Sequence, residues 1–366
     1  MSQPRYKIAI LIEALSNGGA ERSAGLLSKI MEDLGHEVYV VTITDAVAYP
    51  FSGELVNLGL LKNKQNDVFN KLKRFTHFKG FLEQKEVDFL LDFRLRKNYF
   101  KEWLLANFLY KDLKVIYMVR SSHLNYYFPK NDVRTRKLFS QAFNINCVSH
   151  GIKENIETYY KLNNVSFIKN PVAFDEIELL ANEESNLEQN YILAAGRMSL
   201  DIKQFDKLIA TYAASDLPQK GIALKLLGEG KYLAEYQKRA AELQIAELVH
   251  FEGFKQNPFP YFKNALFTVL CSKFEGSPRV LLESLACGTP VVAMDCPTGP
   301  AEIVQQHKNG ILLPENDFAA LKNALNFFTE NYELRTRCAR YAKASIQDHG
   351  LQEVGKAWEK LLNSAS

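Results

Sequence analysis

The residues best suited to chemistry lie around two glutamates, Glu275 and Glu283. Between them the sequence predicts the start of a helix, where free backbone N–H groups and the positive end of the helix dipole can bind an anion such as a phosphate. This anion site is expected to comprise Gly276, Ser277, Pro278, Arg279 and Val280. One carboxylate could accept hydrogen bonds from sugar hydroxyls and the other from ribose hydroxyls. Alternatively, Glu275 only caps the helix and Glu283 is a surface residue.

Three residues mark the ends of this helix. Ser277 suits the N-cap, Pro278 suits the first turn, and Gly288 suits the position after the last turn. They predict a helix from about residue 278 to residue 287, followed by the strand Val291–Met294. The anion site would therefore lie at the carboxyl end of a strand.

Two cations, Arg197 and Lys203, follow the apolar run Tyr191–Ala195 and a glycine. Paired cations beside a helix start can stabilise negative charge that develops on a leaving group. Either side chain could instead be an ordinary surface cation. Their position after a strand that ends in Ala-Gly favours the functional interpretation.

An alternation of strands and helices must position these residues. The run Lys7–Ile12, a helical pattern over residues 20–34 and the run 38–43 form a βαβ unit. Further apolar runs at residues 89–92, 114–119, 144–148 and 165–168 continue a mainly parallel sheet, and six more between residues 191 and 313 predict a second sheet. The fold class is therefore α/β, with two Rossmann-like doubly wound domains. Ligands are expected in an interdomain cleft, beyond the carboxyl ends of the strands.

Length and composition agree with this organisation. The chain has 366 residues, 47% of them hydrophobic and 24% charged, which predicts two to three globular domains and excludes a disordered chain. We place an N-terminal domain at residues 1–170 and a C-terminal domain at residues 171–345. The last segment, residues 346–366, is expected to form a helix that packs back toward the N-terminal domain.

The segment from residue 274 to residue 293 reads F-E-G-S-P-R-V-L-L-E-S-L-A-C-G-T-P-V-V-A. It resembles the nucleotide-sugar signature of family 4 glycosyltransferases, which are retaining enzymes with the GT-B fold. Further segments resemble the same family: residues 18–22, residues 195–198 with Lys203, residues 227–230, and residues 249–254. The resemblance implies that the C-terminal domain binds a nucleotide-sugar and that the N-terminal domain is on the acceptor side.

The resemblance also implies a role for each matching residue. We expect four catalytic residues, Arg197, Lys203, Glu275 and His123, with the first two gripping the donor diphosphate and His123 contacting the transferred sugar. The residues implied in substrate binding are Gly18, Gly19, Arg120, Gly228, Gly230, Phe254, Glu283 and the anion site. Arg120 would share the role of His123, because the sequence around them departs from the commonest family pattern. The alternatives are a hydrogen-bonded structural histidine, and glycines that only form a tight turn.

Neither a metal ion nor a cofactor is expected. The sequence has no Asp-x-Asp pair and no His or Asp cluster with metal-ligand spacing, so protein cations would carry the donor charge. No G-x-G-x-x-G follows the first strand, which disfavours a dehydrogenase. The five cysteines include no C-x-x-C pair and are expected to be buried, inert thiols.

Charge is distributed unevenly along the chain. Residues 1–170 carry 25 Lys and Arg against 17 Asp and Glu, a net charge of +8, whereas the remainder carries −5. Two basic amphipathic stretches, one containing Lys71, Lys73, Arg74 and Lys79 and one at residues 134–139, could lie on an anionic membrane. They could equally be surface helices whose apolar faces pack into the core. No nucleic-acid partner is expected, because no binding motif accompanies these charges.

The resulting hypothesis is a metal-independent, retaining hexosyl- or N-acetylhexosaminyltransferase that uses a nucleoside-diphosphate sugar, with a UDP-sugar favoured. Residues 295–303 resemble a subgroup of bacterial surface-polysaccharide and lipid-linked oligosaccharide enzymes, which implies a glycan or lipid-linked acceptor. We expect no secretory signal and no transmembrane helix, hence a cytoplasmic protein, peripheral on the inner face of the cytoplasmic membrane. The alternatives are a non-catalytic sugar-nucleotide-binding protein and a GT-B epimerase or phosphorylase.

Overall fold

The computed structural model describes residues 4–183, 187 and 190–365. The chain divides into two compact units, one formed by the residues up to Pro171 together with those from Leu351 onward, and one formed by Val172–Gly350. The second unit thus extends to Gly350 rather than ending at residue 345. The expectation that the chain starts without a secretory signal concerns residues that include 1–3, and these three lie outside the described residues.

The described part of the first unit contains a parallel sheet of seven strands in the order β3-β2-β1-β4-β5-β6-β7. The strands are β1 (Lys7–Ile12), β2 (Glu37–Thr42), β3 (Glu54–Asn57), β4 (Phe89–Asp92), β5 (Lys114–Val119), β6 (Asn144–Cys147) and β7 (Val165–Phe167). The helices that connect them include α1 (Gly19–Asp33), α2 (Val68–Lys85), α3 (Tyr99–Leu104), α4 (Val133–Phe139) and α5 (His150–Asn155).

The inner strands of this sheet are buried and mostly apolar because helices cover both faces. On one face, Leu11 and Val119 belong to a core to which α2, α4 and α5 contribute side chains. On the other face, Ile10 lies in a core with residues of α1 such as Leu27. The sequence pattern does not predict β3, since this edge strand is exposed at Glu54 and Leu55 and has no apolar run.

The second unit contains a parallel sheet in the order β10-β9-β8-β11-β12-β13. Its helices before the first strand and between the strands are α6 (Phe174–Ala181), α7 (Phe205–Ala213), α8 (Leu233–Glu242), α9 (Phe259–Asn264), α10 (Arg279–Ala286) and α11 (Pro300–Ile303). The strands are β8 (Tyr191–Ala195), β9 (Ala223–Leu227), β10 (Val249–Gly253), β11 (Thr268–Leu270), β12 (Val291–Met294) and β13 (Gly310–Leu313). Helices α12 (Phe318–Glu330) and α13 (Tyr332–Ala342) follow the last strand. The predicted pair of doubly wound α/β sheets is therefore confirmed.

The two ends of the second unit meet. Val172 and Gly350 form a parallel bridge, and the N–H of Val172 donates to the carbonyl of His349 at 2.8 Å. After this point the chain forms α14 (Leu351–Asn363), which belongs to the first unit. Trp358 of α14 is buried in the same core as Leu27 of α1. No helix in the described part of the chain is long and apolar enough to cross a membrane.

The helix predicted over residues 278–287 is observed as α10, Arg279–Ala286. Its N-cap is Pro278, not Ser277, so that part of the prediction is wrong. Pro278 has an extended backbone (φ −67°, ψ 107°), which moves the start of the helix beyond it. Gly288 lies after the last turn with φ +80°, the left-handed conformation that favours glycine.

Candidate functional site

At the carboxyl end of the second unit's sheet, the loops that follow adjacent strands are bonded to one another. The N–H of Gly196, after β8, donates to the carbonyl of Leu227 at 2.9 Å, and the N–H of Gly228, after β9, donates to the carbonyl of Gly253 at 2.9 Å. The loops therefore form one continuous backbone surface, on which the predicted Gly228 and Gly230 lie beside the segment that contains Arg197.

Two of these glycines are required by close backbone packing. A Cβ on Gly228 would lie 2.0 Å from the carbonyl oxygen of Gly196, and a Cβ on Gly230 would lie 2.2 Å from the carbonyl carbon of Met198. Their φ angles, +130° and +153°, also disfavour other residues. The loop after β9 packs this closely on the loop after β8 only because both positions lack a side chain.

Lys203 and Glu275, which lie 72 residues apart in sequence, form an ion pair. Lys203 Nζ lies 2.6 Å from Glu275 Oε1, and the two side chains are 21% and 14% exposed. The stem of Lys203 passes over Gly196, where a Cβ would lie only 2.7 Å from Cε of the lysine. The carboxylate of Glu275 thus contacts Lys203, the lysine that is predicted to bind the diphosphate. The alternative that Glu275 only caps the helix is therefore wrong.

Helix α10 is buried along its whole length, which sets the position of the second glutamate. Glu283 Oε1 accepts a hydrogen bond from Arg279 Nε at 3.2 Å, and the two side chains are 11% and 7% exposed. The alternative that Glu283 is a surface residue is therefore wrong. Arg279 thus supplies a counter-charge for this buried carboxylate.

The remaining predicted residues of the second unit lie at the same edge of the sheet. Arg197 is exposed just beyond β8. Phe254 follows β10, is 37% exposed, and its N–H donates to Glu229 Oε1 at 3.1 Å. Gly276 lies before the start of α10 and is packed against Gly299, a glycine with φ +99° in the loop after β12. A Cβ on Gly299 would lie only 2.7 Å from the carbonyl oxygen of Gly276. Ser277 precedes Pro278, and Val280 is buried in the first turn of α10.

In the first unit, the glycine loop leads into α1. Gly18 is the N-cap of α1 and has an extended backbone, with φ −163°. The left-handed residue of this loop is Asn17, with φ +57°. The hydroxyl of Ser23 donates to the carbonyl of Gly19 at 2.9 Å. A tight turn with positive φ is therefore not what requires a glycine at position 18.

Arg120 and His123 follow β5, as predicted. Arg120 Nη2 donates to Asn170 Oδ1 at 2.9 Å, and its guanidinium lies 5.1 Å from the centroid of the Phe93 ring. His123 is exposed, and its ring lies 4.4 Å from that of Tyr126. The two residues thus lie in one loop at the carboxyl end of β5, where Arg120 is fixed by hydrogen bonding.

A buried charged cluster beside this loop was not predicted. Arg94 Nε and Nη2 donate to Asp92 at 3.0 and 2.6 Å, and Nη2 also contacts Glu102 at 3.0 Å. All three side chains are at most 6% exposed. Burial raises the pKa of the Glu102 carboxyl, opposed by the charge of Arg94. Burial alone would lower the pKa of Arg94, but the carboxylates, Asp92 first, raise it. The sequence does carry a signal for this cluster, because charged residues occupy alternate positions at and after the end of the apolar strand β4, at Asp92, Arg94 and Arg96.

A second buried arginine, Arg96, links β4 to the loop that contains His123. Its guanidinium donates to the carbonyls of Asp92, Arg94 and Met118 at 3.0, 2.8 and 3.1 Å, and its backbone N–H donates to the carbonyl of Tyr126 at 2.8 Å. These bonds join the carboxyl ends of β4 and β5. Hydrogen bonds from the loop after β4 therefore fix the position of the loop after β5.

The cysteines are free thiols, and four of them are buried. Burial raises the pKa of Cys271 and of Cys296 to about 12, so these two thiols stay protonated at neutral pH. No group of three or more His, Cys, Asp or Glu side chains among residues 4–183, 187 and 190–365 is arranged to hold a metal ion.

Comparison with known proteins relates the second unit to a protein family. Residues 175–345 match the model of the family described as glycosyl transferases group 1. The chain is 23% identical to the amylovoran biosynthesis glycosyltransferase AmsD of Erwinia amylovora, over 98% of this chain and 100% of that protein. It is 27% identical to the N-acetylgalactosamine-N,N'-diacetylbacillosaminyl-diphospho-undecaprenol 4-alpha-N-acetylgalactosaminyltransferase of Campylobacter jejuni, over 92% of this chain and 94% of that protein.

Solved structures support the same fold. The chain matches the structure of HepE from Anabaena in complex with UDP-glucose with a TM-score of 0.76 and 19% identity, over 98% of this chain and 100% of that one. The family match lies within the unit that contains Lys203, Glu275 and α10, and the structural match extends over both units. Residues 175–345 are therefore similar to the glycosyl transferases of group 1, and the chain has the GT-B fold.

Proposed function

We propose that this protein transfers a hexosyl or N-acetylhexosaminyl group from a UDP-sugar to a glycan or lipid-linked acceptor in the assembly of a surface polysaccharide. The observation that carries the proposal is the Lys203–Glu275 pair, 2.6 Å apart at the carboxyl end of the sheet. A cation for a diphosphate and a carboxylate for sugar hydroxyls are thus in contact. The names of the relatives in Erwinia and Campylobacter support the biosynthetic role.

On the donor side, the diphosphate competes with Glu275 for Lys203. Arg197 supplies a second cation, and together they stabilise the negative charge that develops on the leaving group. Once Lys203 has moved to the phosphate, the Glu275 carboxylate is available to accept hydrogen bonds from the sugar. Glu283, paired with Arg279, accepts hydrogen bonds from the ribose. Phe254 and the loops of Gly228 and Gly230 lie against the nucleotide.

The reaction replaces the bond between the sugar and the donor phosphate with a glycosidic bond between the sugar and the acceptor. The bond between the anomeric carbon and the donor phosphate oxygen breaks, while an acceptor oxygen bonds to the same face of that carbon. Because the new bond forms on the face that the phosphate leaves, the configuration is retained, and the acceptor proton passes to the departing phosphate oxygen. This route needs charge stabilisation of the leaving group, which Arg197 and Lys203 provide without a metal ion or other cofactor. We assign contacts with the transferred sugar and the acceptor to Gly18, Gly19, Arg120 and His123.

A UDP-sugar is favoured because the Anabaena relative of this fold was solved with UDP-glucose. The name of the Campylobacter relative includes an undecaprenol-linked substrate, which is a membrane lipid. By analogy, we propose that this protein works as a peripheral protein on the inner face of the cytoplasmic membrane.

The test begins with the thermal stability of the purified protein in the presence of UDP, GDP or ADP, since a ligand that binds the native state raises Tm. UDP should give the largest increase. UDP-sugars are then assayed for hydrolysis and for transfer to a glycan. Binding without turnover would instead indicate a sugar-nucleotide-binding protein, and phosphate-dependent activity without a nucleotide would indicate a phosphorylase.

A further inference from the structure

Three aromatic side chains on the first unit form an exposed cluster, which we call the aromatic surface: Phe100, Trp103 and Phe108. They are 66%, 38% and 56% exposed. The ring of Trp103 lies 6.0 Å from that of Phe100 and 6.0 Å from that of Phe108, so the three form one continuous patch. Contiguous exposed apolar groups of this kind mark interaction sites in soluble proteins.

The buried charged cluster holds these rings outward. Glu102 lies between Phe100 and Trp103 in α3, and its carboxylate is bound to Arg94 at 3.0 Å. Leu105 and Leu109, in the helical turn that follows α3, are buried in the core. Because Glu102 and the two leucines fix the inner face of this segment, the aromatic rings cannot turn inward without breaking a buried ion pair.

Cations surround the aromatic surface. Lys97, Lys101 and Lys111 are exposed in the same segment. The guanidinium of Arg134 lies 5.6 Å from the centroid of the Tyr99 ring, which brings the basic helix α4 alongside α3. Of the carboxylates in this segment, Glu102 is paired with Arg94 in the interior and Asp112 is exposed beside Lys111, so three exposed lysines accompany one exposed carboxylate. The patch thus combines exposed aromatic rings with a positive rim.

We propose that the aromatic surface binds the interfacial region of an anionic lipid bilayer. Aromatic side chains are enriched at membrane interfaces, where the rings meet the apolar boundary, and lysine and arginine attract anionic headgroups. This inference deepens the proposed function and rests on its lipid-linked acceptor. The Arg96 hydrogen bonds join the same β4 loop to the loop of His123, so bilayer contact would occur on the side of the unit assigned to the acceptor.

Helix α2, the membrane-binding stretch expected from the sequence, offers a comparison. Its Phe78 and Leu82 are buried, so most of its apolar face packs into the core. At its amino end, however, Val68, Phe69 and Leu72 are 76%, 83% and 57% exposed. This group has as many side chains as the aromatic surface and is more exposed, but it contains a single aromatic ring. In the second expected stretch, Leu138 and Phe139 of α4 are also buried.

Tryptophan fluorescence tests the proposal directly, because the chain has two tryptophans and Trp358 is only 2% exposed. Vesicles of phosphatidylcholine with phosphatidylglycerol should shift the emission of Trp103 to shorter wavelength and protect it from a soluble quencher. Vesicles of phosphatidylcholine alone should not. The Trp103→Phe variant, in which Trp358 remains, should lose the response. No shift, or an equal shift with both kinds of vesicle, overturns the proposal.

Co-sedimentation with the same anionic vesicles compares the two apolar groups. A Phe100→Ser, Trp103→Ser, Phe108→Ser variant should bind roughly tenfold more weakly than the wild type. The matched Val68→Ser, Phe69→Ser, Leu72→Ser variant should bind as the wild type does, and an unchanged Tm increase with UDP shows that both variants are folded. The proposal is overturned if the α2 variant loses vesicle binding while the aromatic-surface variant keeps it. It is also overturned if the protein forms a dimer through the aromatic surface and does not respond to vesicles.

Turnover of the UDP-sugar separates failure of this inference from failure of the proposed function. If the protein hydrolyses or transfers the sugar but does not bind vesicles, the aromatic surface is not a membrane site and the proposed function stands. If vesicles are bound but no nucleotide-sugar is turned over, the proposed function fails while the membrane site remains.

Discussion

The two units of this molecule differ in how their candidate residues are held. In the second unit, predicted residues contact one another, as Lys203 contacts Glu275 and Arg279 contacts Glu283. In the first unit, Arg120 contacts Asn170 and His123 contacts Tyr126, neither of which was predicted as a site residue. Buried charges that were not predicted, those of Asp92, Arg94, Arg96 and Glu102, support its candidate loop.

This difference follows from what each unit is proposed to bind. A phosphate held by backbone N–H groups and fixed cations requires close loops, a defined helix start and small residues, and these leave a contiguous pattern in the sequence. A variable acceptor imposes no such local pattern. Its loop is instead supported by residues such as Arg96, whose hydrogen bonds to carbonyls are invisible in the sequence.

The strongest test of this difference is the removal of Arg94. The substitution Arg94→Met leaves Asp92 and Glu102 buried without their counter-charge, so the free energy of unfolding should fall by about 3–5 kcal/mol. Urea unfolding measures this loss. Arg134→Met is the matched control, because its pair with Asp132 is 3.9 Å long and Arg134 is 77% exposed. A loss no larger than that of the control would contradict a supporting role for the cluster.

A second large effect is expected on catalysis. Arg197→Ala or Lys203→Ala should lower turnover by roughly 10²-fold or more, because each removes a preorganised charge from the leaving group. Steady-state kinetics with the UDP-sugar measure the loss, and Tm should be nearly unchanged. Lys220→Ala, which removes an exposed pair with Glu330 at the amino end of β9, is the control and should leave turnover intact. Wild-type rates in both site variants would show that these cations do not contact the diphosphate.

The Lys203–Glu275 pair itself predicts a smaller effect of opposite sign on nucleotide binding. Glu275→Gln removes the anion that competes for Lys203, so UDP should bind about threefold to tenfold more tightly, while turnover falls because the sugar loses its carboxylate partner. Calorimetry gives the Kd for UDP. In a Lys203→Ala, Glu275→Gln variant the gain should disappear. Weaker UDP binding by Glu275→Gln alone would mean that the carboxylate assists the phosphate site.

The smallest expected effect is that of a chelator. Because Arg197 and Lys203 are proposed to carry the donor charge, excess EDTA should leave the initial rate unchanged. Complete loss of activity that is restored by Mg²⁺ or Mn²⁺ would contradict this proposal.

The sequence predicts much of the second unit and less of the first. The alternation of apolar runs predicts both sheets, since parallel strands covered on two faces must be apolar throughout. It does not predict β3, which is exposed, nor the start of α10, where the backbone of Pro278 overrides the capping preference of Ser277. Lys203 and Glu275 were each identified separately. Their contact depends on the packing of loops that are 72 residues apart in sequence.

The bridge between Val172 and Gly350 has a consequence for protein engineering. The chain enters and leaves the second unit at neighbouring backbone positions, so residues 172–350 form a cassette with adjacent splice points. Exchanging this cassette among relatives would replace the unit that we propose binds the donor, without rearranging the order of the first unit's sheet. Since the two ends are already joined by a 2.8 Å hydrogen bond, a short linker would suffice to cyclise the excised segment.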